Sequence, residues 1–192
     1  MADWVKREGM PIGDIVAGKS KNRPDLAGIW KVADSVGGGV EVGVKALTSD
    51  DPAKRFWGVI ALRDREIGEP VKKLMRELRN DSTADVRIEA AALLAQRKAS
   101  RPSALKVLVN ELDNSTWAVA LRACRAIELM GESAKSVLPE MKAVYARTRH
   151  AKGDENFFLA FSSGAFLEKL GEKTDQWDFT PGAGSFMPPK KK

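Results

Sequence analysis

Cysteine, histidine and tyrosine each occur once in this chain of 192 residues. A lone cysteine excludes an intramolecular disulfide, and one Cys with one His falls short of the roughly four ligands that a zinc site needs. The thiol of Cys124 sits inside an apolar helical run, where free cysteine behaves as a small buried hydrophobe. A nucleophilic thiol wants a histidine and a depressed pKa. The single histidine, His150, stands instead at a helix end among Arg147, Arg149 and Lys152, and reads as solvated. No apolar run approaches the ~20 residues of a membrane span, and the opening Met1-Ala-Asp-Trp-Val-Lys-Arg-Glu8 lacks the apolar core of a secretory signal. As it stands the chain is expected to be soluble and cytoplasmic. Paired carboxylates and a nucleophile with its base do not stand out, so no catalytic, cofactor-binding or metal-binding residues are assigned.

What is present is a pattern written three times between Ser49 and Gly131. An apolar run ends in Leu, an acidic turn follows, and a second apolar run begins. The second runs are Phe56-Trp-Gly-Val-Ile-Ala-Leu62, Ile88-Glu-Ala-Ala-Ala-Leu-Leu94 and Leu121-Arg-Ala-Cys-Arg-Ala-Ile127. Gly58, Ala90 and Ala123 fall in register at steps of 32 and 33 residues, as do Leu62, Leu94 and Ile127. A fixed period of this length marks stacked repeats. A fainter fourth copy repeats Ile127-Glu-Leu-Met-Gly-Glu132 as Leu167-Glu-Lys-Leu-Gly-Glu172.

Each half of the pattern is helical for local reasons. Val119, Ala123, Ile127 and Met130 recur at steps of three and four residues, which puts them on one helical face. Alanine is abundant, Ser, Thr, Asp and Asn sit where N-caps are needed, and Pro52, Pro70 and Pro102 fall in first turns, where a missing N–H costs nothing. The small residues at 58, 90 and 123 suit a close helix crossing. The expected architecture is all-α: an α-solenoid of about four helical hairpins. The pairs run over 40–48 with 53–65, 69–79 with 84–97, 102–112 with 116–130, and 136–149 with 155–170. Pro139 allows two readings: with Ser136 as N-cap it lies in the first turn, and with a start near Ser133 it kinks the helix. A helix over 24–36, with Leu26, Ile29, Trp30, Ala33 and Val36 on one face and Gly37-Gly38-Gly39 as its stop, is expected to cap the first repeat. Residues 1–23 read as a flexible arm, 24–171 as the solenoid, and 172–192 as an extended tail ending in Pro-Pro-Lys-Lys-Lys.

Charge is uneven. The formal net charge is +6, and residues 53–152 hold 20 Lys and Arg against 12 Asp and Glu. That excess permits a polyanionic partner. Lys72, Lys73, Arg76 and Arg79 cluster on one helix as the candidate polyanion patch, and Arg97, Lys98, Arg101 and Lys106 follow, although aromatic residues are sparse among them. The second helices of successive pairs would line a curved surface, with Glu89, Gln96, Arg122, Arg125 and Glu128 as its candidate binding residues.

The copies resemble HEAT and HEAT-like repeats. The carrying residues are an acidic turn followed six positions later by a basic residue, as in Asp81 and Arg87, or Ser49 to Arg55 with Asp50 and Asp51 alongside. The resemblance implies that the acid ties its own turn and that the basic residue bridges neighbouring turns. With Asn114 and Ala120 in the third copy, any such ladder should stop there. In wording, Ser49-Asp-Asp-Pro-Ala-Lys-Arg-Phe-Trp-Gly-Val-Ile-Ala-Leu62 and Val86-Arg-Ile-Glu-Ala-Ala-Ala-Leu-Leu94 are similar to the C-terminal HEAT-repeat region of bacterial, planctomycete-type sulfatases. That likeness covers about 24–149. The sulfatase signature, Cys or Ser followed by x-Pro-x-Arg, is absent: Cys124 is followed by Arg-Ala-Ile-Glu. The resemblance therefore implies a non-catalytic accessory module, exported if joined to its hydrolase. Its partner would be a catalytic domain or a second copy. A nucleic-acid or polyanion binder is the alternative, as in HEAT-like repair glycosylases, and an enzyme of the bilin-lyase or glycosylase kind ranks third.

Overall fold

Proline marks the starts of four helices, and acidic side chains cap two. In the computed structural model, which describes residues 9–11, 13, 14, 17, 19, 20, 25–36, 38–63, 65–114 and 116–174, every regular element is helical. In order these are α1 (Leu26–Ala33), α2 (Glu41–Ala46), α3 (Pro52–Ala61), α4 (Glu69–Leu78), α5 (Ala84–Ala95), α6 (Arg101–Glu111), α7 (Trp117–Met130), a 3-10 segment (Gly131–Val137), α8 (Leu138–Thr148) and α9 (Asp154–Lys169). Pro52, Pro70, Pro102 and Pro139 all lie in first turns, where no intrahelical N–H is lost. Asp51 caps α3 by accepting from the Ala53 N–H at 2.9 Å.

The helices pack as neighbouring pairs, α2 with α3, α4 with α5, α6 with α7 and α8 with α9. The second members also pack on one another in a row, α3 on α5, α5 on α7, and α7 on α9. One apolar cluster runs through the row from Leu47 to Leu167. The middle of the row is the driest part: Val86, Ile88, Ala90 and Ala91 on α5 and Ala123, Cys124 and Ile127 on α7 are fully buried. A helix apolar around most of its circumference must be covered on several sides, as α5 is by α3, α4, α6 and α7. At the first crossing, Gly58 of α3 faces Gly43 and Ala46 of α2. A Cβ on Gly58 would lie 2.9 Å from the Gly43 carbonyl oxygen and 3.0 Å from the Ala46 Cβ, so two backbones meet here with no room for a side chain. Among the described residues, no helix is long and apolar enough to cross a membrane.

Two expectations are corrected and one ambiguity is resolved. The inward stripe of α1 is not Leu26–Ile29–Trp30–Ala33–Val36. Val32 is the buried residue, while Leu26, Trp30 and Val36 are exposed. α1 lies against α3 through its other side, where the Asp25 carboxylate accepts from the Gly28 N–H at 2.9 Å and pairs with Lys54 of α3 at 2.6 Å. The same helix stops at Ala33, a turn before the glycines, because the Ser35 hydroxyl donates to the Val32 carbonyl at 2.6 Å and the chain tightens into turns. The Pro139 ambiguity resolves as first-turn placement: Gly131, at φ +51°, ends α7, the 3-10 segment carries the chain to Val137, and α8 begins at Leu138. Most of the 1–23 arm and the tail from 175 onward lie outside the described residues.

Candidate interaction groove

The inter-helix turns position everything else. In three of them a short polar side chain accepts from the N–H two residues on: Ser49 Oγ from Asp51 at 3.2 Å, Asp81 Oδ1 from Thr83 at 2.8 Å, and Asn114 Oδ1 from Thr116 at 2.9 Å. These are the Asx and Ser turns that such residues favour. A guanidinium one turn into the second helix then braces the turn. Arg55 donates to the Ser49 and Asp50 carbonyls at 2.7 and 3.0 Å, and Arg87 to those of Asp81 and Ser82 at 2.7 and 3.1 Å.

Each guanidinium also reaches the next turn. Arg55 Nε and Nη2 bind both oxygens of Asp81 at 2.7 and 2.9 Å, a bidentate, charge-assisted pair that is largely buried. Burial pushes the Asp81 carboxyl up. Arg55 and the Thr83 N–H outweigh it, so its pKa lies below the usual carboxylate value. The Arg55 pKa is raised, first by its bond to Asp81. The ladder was expected to stop at the third copy, but it runs one rung further. Arg87 Nε donates to Glu111 Oε1 at 2.7 Å, and Asn114 Nδ2 donates to Glu111 Oε2 at 2.9 Å. The acid moves from the turn to the last residue of the preceding helix and the geometry survives. Asp50 contributes its backbone carbonyl and Asp51 its helix cap, so neither carries a rung through its side chain.

Held by these turns, α5 and α7 lie side by side and frame an open groove of about 620 Å³. Its floor is Ala92, Ala95, Ala126 and Met130, and its rim carries Arg63, Arg101, Arg122 and Arg125 with Glu89 as the one acid. Glu89 ties the rim together. Arg63 binds it at 2.6 Å, and Arg122 approaches it at 3.4 Å while also pairing with Asp85 at 3.0 Å. The Arg122 guanidinium lies over the Phe56 ring, 5.1 Å from its centroid, which holds it flat against the face. Arg101 donates to the Ala95 and Gln96 carbonyls at 2.9 and 3.4 Å, closing the end of α5. Leu129 stands in the groove with 66% of its surface exposed.

Of the residues assigned to the binding surface from sequence, Glu89, Gln96, Arg122 and Arg125 line this groove. Glu128 does not. It is buried between α7 and α9, where it accepts from the Ser162 hydroxyl at 2.8 Å, pairs with Arg125 and lies 3.7 Å from Lys169. The repeat register carried the right answer. A step of 33 residues takes Glu89 to Arg122 and Gln96 to Leu129, one position past Glu128. Arg63 and Arg101 lie outside the copied runs, so the repeat pattern did not flag them. The α4 cluster is partly neutralised within its own helix: Glu69 holds Lys72 at 2.8 Å and Arg76 at 3.6 Å, while Arg79 donates to the Arg76 carbonyl at 3.3 Å. Lys73 is exposed and makes no ion pair among the described residues. Burial pushes the Cys124 thiol up to about 12, so it stays protonated and inert. His150 is exposed just beyond α8. No protein-family model matches the chain, and no curated protein matches it.

Proposed function

We propose that this chain is a non-catalytic, HEAT-like α-solenoid that binds another protein through the face formed by its second helices. The observation that carries this reading is the groove on α5 and α7, set in a continuous row of helices whose turns are locked to one another by Arg55–Asp81 and Arg87–Glu111. A stiff row with an open, partly apolar trough suits recognition of an extended surface. The buried, protonated thiol of Cys124 supports the same reading, because the one cysteine is built as packing.

The wording of the repeats supports the partner: a sulfatase-type catalytic domain, to which this module would be an accessory. Sedimentation of the chain with a separately expressed sulfatase domain from the same genome tests it. The expected result is a one-to-one complex at micromolar concentrations, and two independent species at that concentration would count against it.

A further inference from the structure

We infer that the groove between α5 and α7 is a binding site for a short extended peptide in which acidic and apolar side chains alternate. The inference deepens the module reading above, on which it rests, by naming the chemistry of the partner. Four guanidinium groups border the trough; Arg63, Arg122 and Arg125 are paired with Glu89, Asp85 and Glu128, while Arg101 binds backbone carbonyls and meets no carboxylate among the described residues. The single positive charge left over, that of Arg101, favours an anionic ligand. The floor does not fit a purely ionic one: Ala92, Ala126 and Met130 are apolar, and Leu129 leaves 66% of its surface in water. An apolar side chain from the ligand would cover Leu129, while its carboxylates meet the rim.

Size sets the length of the ligand. From Arg122 to Met130 the trough follows α7 for about 12 Å at 1.5 Å per residue. An extended peptide crosses that distance in about four residues. The volume of about 620 Å³ falls within the range of ligand clefts. The rim is also preorganised, since Arg63 and Arg122 are held on Glu89, Arg122 is laid over Phe56, and Arg101 is fixed on the end of α5. Preorganised donors lose less freedom when a ligand arrives.

The test is a fluorescence-anisotropy titration of the full chain with a fluorescein-labelled peptide of about eight residues alternating Glu and Leu, long enough to span the trough. A Lys/Leu peptide of the same length, a Glu/Ser peptide and single-stranded oligothymidine are titrated beside it. Only the Glu/Leu peptide is expected to bind at micromolar concentration. Arg63→Glu and Leu129→Asp are each expected to weaken it by about tenfold or more, equivalent to ~1.4 kcal/mol. Both positions are exposed, so circular dichroism should show both variants folded. Lys73→Glu makes the same change of charge on α4, outside the groove, and is expected to stay within about twofold of the unaltered chain.

Equal losses from Lys73→Glu and Arg63→Glu overturn the site, because binding would then follow overall charge. Tighter binding of the oligonucleotide, with the same dependence on Arg63, overturns it in favour of a nucleic-acid surface. Equal affinity for the Glu/Ser peptide overturns the apolar half of the argument. Absence of Glu/Leu binding up to millimolar concentration also overturns it. In that event, a sulfatase-domain complex that survives Leu129→Asp shows that the module reading stands without this groove, and absence of the complex as well removes both.

Discussion

Asp81 accepts from Thr83 in its own turn and from Arg55 in the turn before, and little of its side chain remains in water. Removing it strands a buried guanidinium, so Asp81→Ala is expected to cost about 3 kcal/mol in urea unfolding. The pH dependence follows from the direction of its shift. The folded pKa lies below the unfolded carboxylate value of about 3.9, so the stabilisation is complete above that value. It is lost as pH falls through the lower folded value. Urea midpoints measured from about pH 5 down to about pH 2 should therefore fall less steeply for Asp81→Asn than for the unaltered chain. Cys124 gives a second check at this scale. With its pKa at about 12, roughly one thiol in ten thousand is ionised at pH 8. Ellman's reagent at that pH should react only at the rate of unfolding, and prompt reaction of the folded chain would show an open path to the sulfur. The acid of the third rung shows what spacing alone misses. Asn114 and Ala120 lack the acid–base pair, and nothing local marks Glu111, three residues earlier and on a helix, as the substitute. Only the packed turn shows that its carboxylate reaches Arg87.

At the crossing of α2 and α3 the two backbones meet without room for a side chain. Replacing Gly58 by Ala would raise helix propensity by about 1 kcal/mol. The added methyl would meet the Gly43 carbonyl oxygen at 2.9 Å, however, and overpacking at such a contact costs about 1–3 kcal/mol. Gly58→Ala is therefore expected to lower the melting temperature by roughly 2–4 °C. An unchanged or higher value would show that α2 slides away freely. Helix positions were legible because periodicity and first-turn prolines pointed to the same starts. The stripe on α1 was not. Leu26, Trp30 and Val36 form as good an apolar face as any, yet Val32 is turned inward, because the Asp25–Lys54 pair and close approach at Gly28 fix how that helix lies on α3. Periodicity marks a face and leaves open which neighbour covers it, and Glu128 failed as a surface residue for the same reason.

Among the described residues, each helix touches its near neighbours, and fully buried side chains are densest on α5. Stability in such a row is a sum of local and nearest-neighbour contributions, so the ends open before the middle. Amide hydrogen exchange should be slowest in α5, α6 and α7 and fastest in α1, which buries only Val32. Uniform protection from α1 to α9 would mean that the chain opens as one unit. An all-helical chain of packed neighbours was visible in the register of Gly58, Ala90 and Ala123, whereas the groove depended also on Arg63 and Arg101, which stand outside the copied segments.

The ladder of turns also constrains how such a molecule could lengthen. A rung needs a cation on one copy and an acceptor on the next, so duplication of the unit that holds both Asp81 and Arg87 would carry its own fastening with it, whereas the first unit has Arg55 but Ser49 at the acceptor position. After α7 that rule lapses, because Ala120 offers no cation to a newcomer. The chain meets this from the opposite direction: Arg147 of α8 reaches back to the Leu112 carbonyl at 2.7 Å and to Asp113 at 2.6 Å. Growth by simple copying is thus open at the unit of Asp81 and Arg87 and closed on the side of Ala120, where any added hairpin must bring a backward-pointing arginine of its own.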